Sequence, residues 1–185
     1  MKNLLIAFSG KAQAGKSETS RILCTLTEQN RVKCVIVSFA EPLKQIAREY
    51  FGWDGDKGIY YNADGSLVQD KGRQLLINIG QQFRAIRPTI WADLAIKRIK
   101  EIEKDRPEDT LFLIDDLRFE NEVNVLKQFE NSTIVRITRK EGSLDIDDIS
   151  EKDLDNYKFE EYLENDGSLK ELEEGIKKLY NKIKQ

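Results

Sequence analysis

Residues 8 to 18 read FSGKAQAGKSE, and no other stretch limits the fold of this chain so tightly. Gly10-Lys11-Ala12-Gln13-Ala14-Gly15-Lys16-Ser17 fits G-x-x-x-x-G-K-[ST], the pattern of a phosphate-cradling P-loop. It follows Leu4-Leu5-Ile6-Ala7-Phe8, a continuous apolar run like that of a strand buried on both faces. It leads into residues 15–30, where Thr19, Ile22, Leu23 and Leu26 make an apolar stripe at helical spacing. A random chain of this length matches the bare motif roughly one time in 170. The strand before and the helix after make chance rarer still, so the chain is expected to bind a nucleotide.

The rest of the chain repeats the alternation. Residues 34–39 (CVIVSF) and 111–114 (LFLI) read as further buried strands, and 133–137 and 159–163 as two more. Between them lie helical patterns: one opening near Pro42, a pair over 71–104, one over 119–129, and a last over 169–183. Residues 52–70 are rich in Gly, Asp and Asn, with ADGS a hairpin-turn signal, and read as an exposed excursion. Strands alternating with helices predict a three-layer α/β/α P-loop fold with a mostly parallel five-stranded sheet. One domain spanning 1–185 is expected, with a helical region at about 52–104 and a lid at about 140–156.

Composition removes several alternatives. The net charge of -3 provides no global basic field, so no nucleic-acid partner is expected. The chain has no histidine, which excludes histidine bases, His-containing triads and His-ligated metal sites. Cys24 and Cys34 match no zinc or redox spacing, and the apolar run at the N-terminus is too short for a signal peptide or a membrane span. The expectation is a reduced, soluble, cytoplasmic protein without a membrane partner. A homodimer is the commonest closed assembly for such chains.

The chemistry of the motif assigns roles. Glycines let successive backbone N–H groups face phosphate oxygens, and the following helix adds its dipole. Lys16 would reach the β- and γ-phosphates, and the Ser17 hydroxyl would coordinate magnesium. Asp115 and Asp116 end a buried strand, where an α/β sheet presents its ligands, so either could serve the magnesium. Lys71, Arg73, Arg84, Arg87 and Arg118 form a basic set suited to a second, phosphate-bearing substrate. Arg73 and Arg84 stand on the same side of one expected helix.

In order and spacing, SGKAQAGKSE, SFAEPLKQIAREYFGWDGDK, KGRQLLINIGQQFRAIRPTIWADL and IDDLRFENEVNVLK resemble the phage-type deoxynucleoside monophosphate kinases. The tail YLENDGSLKELEEGIKKL is similar to the C-terminal segment of dephospho-coenzyme A kinases. The resemblance covers nearly the whole chain. It implies transfer of phosphate from ATP, with Mg²⁺, to a deoxynucleoside monophosphate. By the same resemblance Gly10, Ala12, Ala14, Gly15, Lys16, Ser17 and Glu18 belong to the ATP site, and Asp116 is the strand-end aspartate, favoured over Asp115 as the catalytic carboxylate on the magnesium side. Lys71, Arg73, Arg84 and Arg118 would face the acceptor, with Phe39 and Trp91 as candidates for its base. Asn165, Gly167 and Ser168 fall in the loop that packs against adenine.

One segment departs from the family pattern. RKEGSLDIDDISEKDLDNYK has no histidine and many acids where the family carries a basic lid. Arg136 and Arg139 would then supply the transition-state charge. Two other readings share the P-loop: a dephospho-coenzyme A or other small-molecule kinase, and a non-catalytic adenine-nucleotide sensor. No N-K-x-D element is present for a guanine-specific switch.

Overall fold

Strand β1 (Leu4–Ser9) explains the apolar run at the start of the chain, because it is the central strand of its sheet. Leu5 and Ala7 belong to the core on one face, while Leu4, Ile6 and Phe8 belong to the core on the other. With both faces covered from Leu4 to Phe8, strand alternation leaves no position there for a polar side chain. In β5 (Thr110–Leu117) the stretch Leu111–Ile114 is built the same way, Phe112 and Ile114 serving the first core and Leu111 and Leu113 the second.

The computed structural model describes residues 3–55, 59–61, 64–69, 72–105, 109–140 and 149–184. After β1 come α1 (Lys16–Gln29), β2 (Lys33–Ile36) and α2 (Ala40–Phe51). The short strands β3 (Ile59–Tyr61) and β4 (Leu67–Gln69) precede α3 (Gly72–Ile86) and α4 (Ile90–Asp105). Beyond β5 lie α5 (Glu120–Leu126), β6 (Ser132–Thr138), α6 (Ile149–Lys152), β7 (Glu161–Glu164) and α7 (Leu169–Ile183). The main sheet has the order β2-β5-β1-β6-β7 and every pairing in it is parallel. It is the expected P-loop α/β/α architecture.

The antiparallel pairing sits apart, in a β3–β4 hairpin within the 52–70 excursion. Its turn carries Gly65 at φ 79°, with the Ser66 N–H donating to Asp64 Oδ1 at 2.9 Å. Residues 149–152, read from sequence as part of a polar stretch, form a short helix instead.

One expectation needs correction. The two cysteines, expected as free thiols, are joined as a disulfide between α1 and β2. The turn after α1 folds β2 back along it and brings the two Cα atoms to 5.2 Å, inside the range a disulfide spans. No described helix is long and apolar enough to cross a membrane.

Candidate functional site

The sheet order places a topological switch at β1, which has β5 on one side and β6 on the other. In such sheets the crevice beyond the carboxyl ends of the strands is where ligands bind. The loop between β1 and α1 occupies that position. It turns through two left-handed residues, Gln13 at φ 64° and Gly15 at φ 97°. The Ala14 N–H closes a turn onto the Lys11 carbonyl at 3.1 Å. Gly10 is required for a different reason: a Cβ there would lie 2.7 Å from the Ile137 carbonyl oxygen of β6.

Lys16 is buried and curls back over the loop, its Nζ donating to the Gly10 carbonyl at 2.6 Å and the Lys11 carbonyl at 2.9 Å. Ser17 beside it is exposed at the start of α1. Glu18 pairs with Arg21 one turn on, at 2.5 Å. Ala14 is buried, and its carbonyl accepts from Asn165 Nδ2 at 2.9 Å. Asn165 therefore meets the loop. Its neighbours serve the following helix instead. Ser168 caps α7, with its N–H donating to Glu171 Oε2 at 2.7 Å, and Gly167 makes room for that carboxylate.

The two strand-end aspartates are separated by their surroundings. Asp116 accepts from Ser38 Oγ at 2.5 Å, the Phe39 N–H at 3.0 Å and the Ala40 N–H at 2.9 Å. It thus fastens the start of α2 to the end of β5, a use that occupies both oxygens. Burial raises its pKa above the ordinary carboxylate value, against the pull of those three bonds, and neighbouring Asp115 adds to the rise. Asp115 is half-buried. An irregularity between Ile114 and Leu117 gives β5 one more residue than β1 at this point, as in a bulge.

On the other rim, a carboxylate that the sequence reading did not single out organises the arginines. Glu122 is 2% exposed, and its Oε2 accepts from the Arg118 N–H at 3.0 Å and the Phe119 N–H at 3.1 Å. Its Oε1 accepts from Arg84 of α3 at 3.1 Å, and the Arg84 guanidinium lies 4.2 Å from the centroid of the Phe119 ring. Burial raises the Glu122 pKa, opposed by the Arg118 N–H and by Arg84. Arg84 and the Arg118 backbone are thereby held to one carboxylate. Arg73 is exposed on the same helix as Arg84, and Arg87 pairs with Asp93 at 2.7 Å. Lys71 lies outside the described residues.

The two aromatic candidates are built into the core. Trp91 is 1% exposed, donates its indole N–H to the Gly80 carbonyl at 3.3 Å and packs on Phe83. Phe39 is 3% exposed in the same cluster. Neither offers a free face to a base in this structure, because α2, α3 and α4 need them to pack on the sheet.

The lid arginines meet the P-loop. Arg136, at the end of β6, donates to Ser9 Oγ at 3.0 Å and to Asp155 at 3.1 Å. Arg139 donates to the Gln13 carbonyl at 3.4 Å. Among the described residues no group of three or more His, Cys, Asp or Glu could by itself hold a metal. A hydroxyl at Ser17 and a carboxylate at Asp115 are oxygen donors of the kind Mg²⁺ takes when nucleotide phosphates complete its shell.

No family model matches the chain, and no curated protein does. Among solved structures it is similar to TT1252 from Thermus thermophilus, at 15% identity and a TM-score of 0.54, over 98% of each chain. It is also similar to an APS kinase of Mycobacterium tuberculosis, at 10% identity and a TM-score of 0.48, over 100% of this chain and 99% of that one. At 15% identity the likeness to TT1252 speaks for the fold alone.

Proposed function

We propose that this chain is an ATP- and Mg²⁺-dependent kinase whose acceptor is a deoxynucleoside 5'-monophosphate. The observation that carries the reading is the P-loop at the switch point of a parallel sheet, with Arg84 and the Arg118 backbone held at Glu122 beyond the end of neighbouring β5. The choice of a deoxynucleotide rests on the family resemblance of the SFAEPLK…FGWDG and DLRFENE blocks.

Phosphoryl transfer asks little acid–base chemistry of a protein, because the acceptor phosphate oxygen is already ionised. The chain's part is alignment and charge. Lys16, released from its two carbonyl partners, would turn to the β- and γ-phosphates. Ser17 and Asp115 would hold magnesium, which would supply positive charge to the nucleotide phosphates. Asp116 would act indirectly, by fixing α2. Arg84 and Arg118 would grip the acceptor phosphate, and Arg136 and Arg139 the transferring group. Asn165 steadies the loop from the side where the adenine would lie.

The test is ADP formation from ATP and Mg²⁺ with each deoxynucleoside and ribonucleoside monophosphate, and with dephospho-coenzyme A. Turnover with deoxynucleotides that is lost in Lys16→Ala is the expected result. Turnover with dephospho-coenzyme A alone would move the chain to the neighbouring kinases. ATP binding without transfer to any acceptor would make it a nucleotide sensor.

A further inference from the structure

The acidic segment, the one part of the chain that departs from the family pattern, touches the P-loop directly. The Asp155 carboxylate bridges two cations from different elements: Lys11 of the loop at 2.6 Å and Arg136 of β6 at 3.1 Å. Both oxygens are used, one for each partner. We propose that Lys11 and Arg136 form a subsite for the terminal phosphate of a nucleoside triphosphate, and that Asp155 is its resident anion in the free protein. The inference rests on the P-loop binding a triphosphate, and not on which acceptor is used.

Three features favour an exchangeable contact over a structural one. First, Arg136 has anchors of its own: Ser9 Oγ at 3.0 Å and the Phe159 ring at 5.3 Å, with its side chain only 13% exposed. It stays in place when Asp155 leaves. Second, Lys11 belongs to the loop that would hold phosphates, since its own carbonyl accepts from Lys16. Third, the segment is seated by Leu154, which is 2% exposed in the core, while the Asp155 side chain beside it is 39% exposed. The carboxylate can swing away without unseating the backbone.

A phosphate carrying two charges and three terminal oxygens outcompetes a single carboxylate for two cations. The lysine and arginine hold Asp155 ionised: burial works to raise its pKa, but Lys11 and Arg136 together lower it. The free loop is therefore kept electrically satisfied, and the triphosphate must displace an internal anion to bind.

Calorimetric titration of the full chain with inorganic tripolyphosphate tests this without any transfer step. Asp155→Asn keeps the shape and removes the charge, and should tighten tripolyphosphate about five- to tenfold. Adding Lys11→Met should cancel most of that gain, and adenosine binding should not respond to Asp155→Asn. Unchanged or weaker tripolyphosphate binding in Asp155→Asn would overturn the proposal. So would a gain that survives Lys11→Met. Failure of every form to bind tripolyphosphate or ATP would overturn both this proposal and the nucleotide reading. Intact triphosphate binding with no phosphate transfer would leave the subsite standing and remove only the kinase assignment.

Discussion

Two carboxylates hold arginines at the two rims of the crevice, and they are built in opposite ways. Glu122 is 2% exposed and is shared between two backbone N–H groups and Arg84. Asp155 is 39% exposed and has only side-chain cations as partners at the P-loop. Buried groups of the first kind are costly to disturb, because every partner is left in a dry place. Exposed pairs of the second kind contribute little to stability and can be traded for another ion. The rim at Glu122 is thus fixed, whereas the rim at Asp155 is held by an ion pair that can be traded.

Removing Glu122 should give the largest effect. Glu122→Ala leaves two part-buried N–H donors and a guanidinium without their acceptor, and should cost about 3 to 4 kcal/mol in urea unfolding. If that loss were under about 1 kcal/mol, the contrast between the rims would fail. Reduction of the Cys24–Cys34 bond serves as a control, since the bond lies away from both rims. Chain entropy for so short a loop predicts a loss of about 2.5 to 3 kcal/mol, with binding of tripolyphosphate unaltered in the folded protein.

Acid titration sharpens the comparison by sign. The Glu122 carboxyl is held above its ordinary value of 4.5, so the folded state binds that proton more tightly than the unfolded state. Its effect on stability is most favourable at low pH and declines as pH rises from 4.5 through the raised value. Asp155 is held below its ordinary value of 3.8, so its contribution is present above 3.8 and is lost as pH falls through the lowered value. Urea unfolding of wild type, Glu122→Gln and Asp155→Asn across that range should show opposite trends. The smallest effect belongs to Asp155→Asn at neutral pH, where stability should move by no more than about 0.5 kcal/mol. Its consequence lies in binding.

The same contrast explains what could be read from the sequence. The P-loop is local: eight consecutive residues carry its turn, its lysine and its hydroxyl, and β1 announces itself by an unbroken apolar run. Glu122 gave no such signal, because in FENEVNVL it reads as one acid of a surface helix. Its burial comes from Arg84, which is 38 positions away. The separation of Asp115 from Asp116 depends on one extra residue in β5 and on where α2 starts, neither of which a pair of aspartates reveals. Lys11 occupies a variable position of its motif, and the acids near 155 read as a departure from a pattern rather than as partners of that lysine. The cysteine pair was invisible for a similar reason: a spacing of 10 fits no motif, and the two meet only because β2 turns back along α1.

The P-loop is made early and finished late. Its residues are made well before their support, since β1 beside it pairs with β5 and β6. Asn165, which supports Ala14, comes 151 positions later, and α7 packs on α1 after that. At translation rates of about 5 to 20 residues per second, the loop waits many seconds for its partners. A nascent chain halted before residue 165 would carry the whole nucleotide motif without the side chain that steadies it. Competence to hold a triphosphate should appear abruptly as the C-terminal segment emerges, and ligand added during synthesis should do little to hasten it.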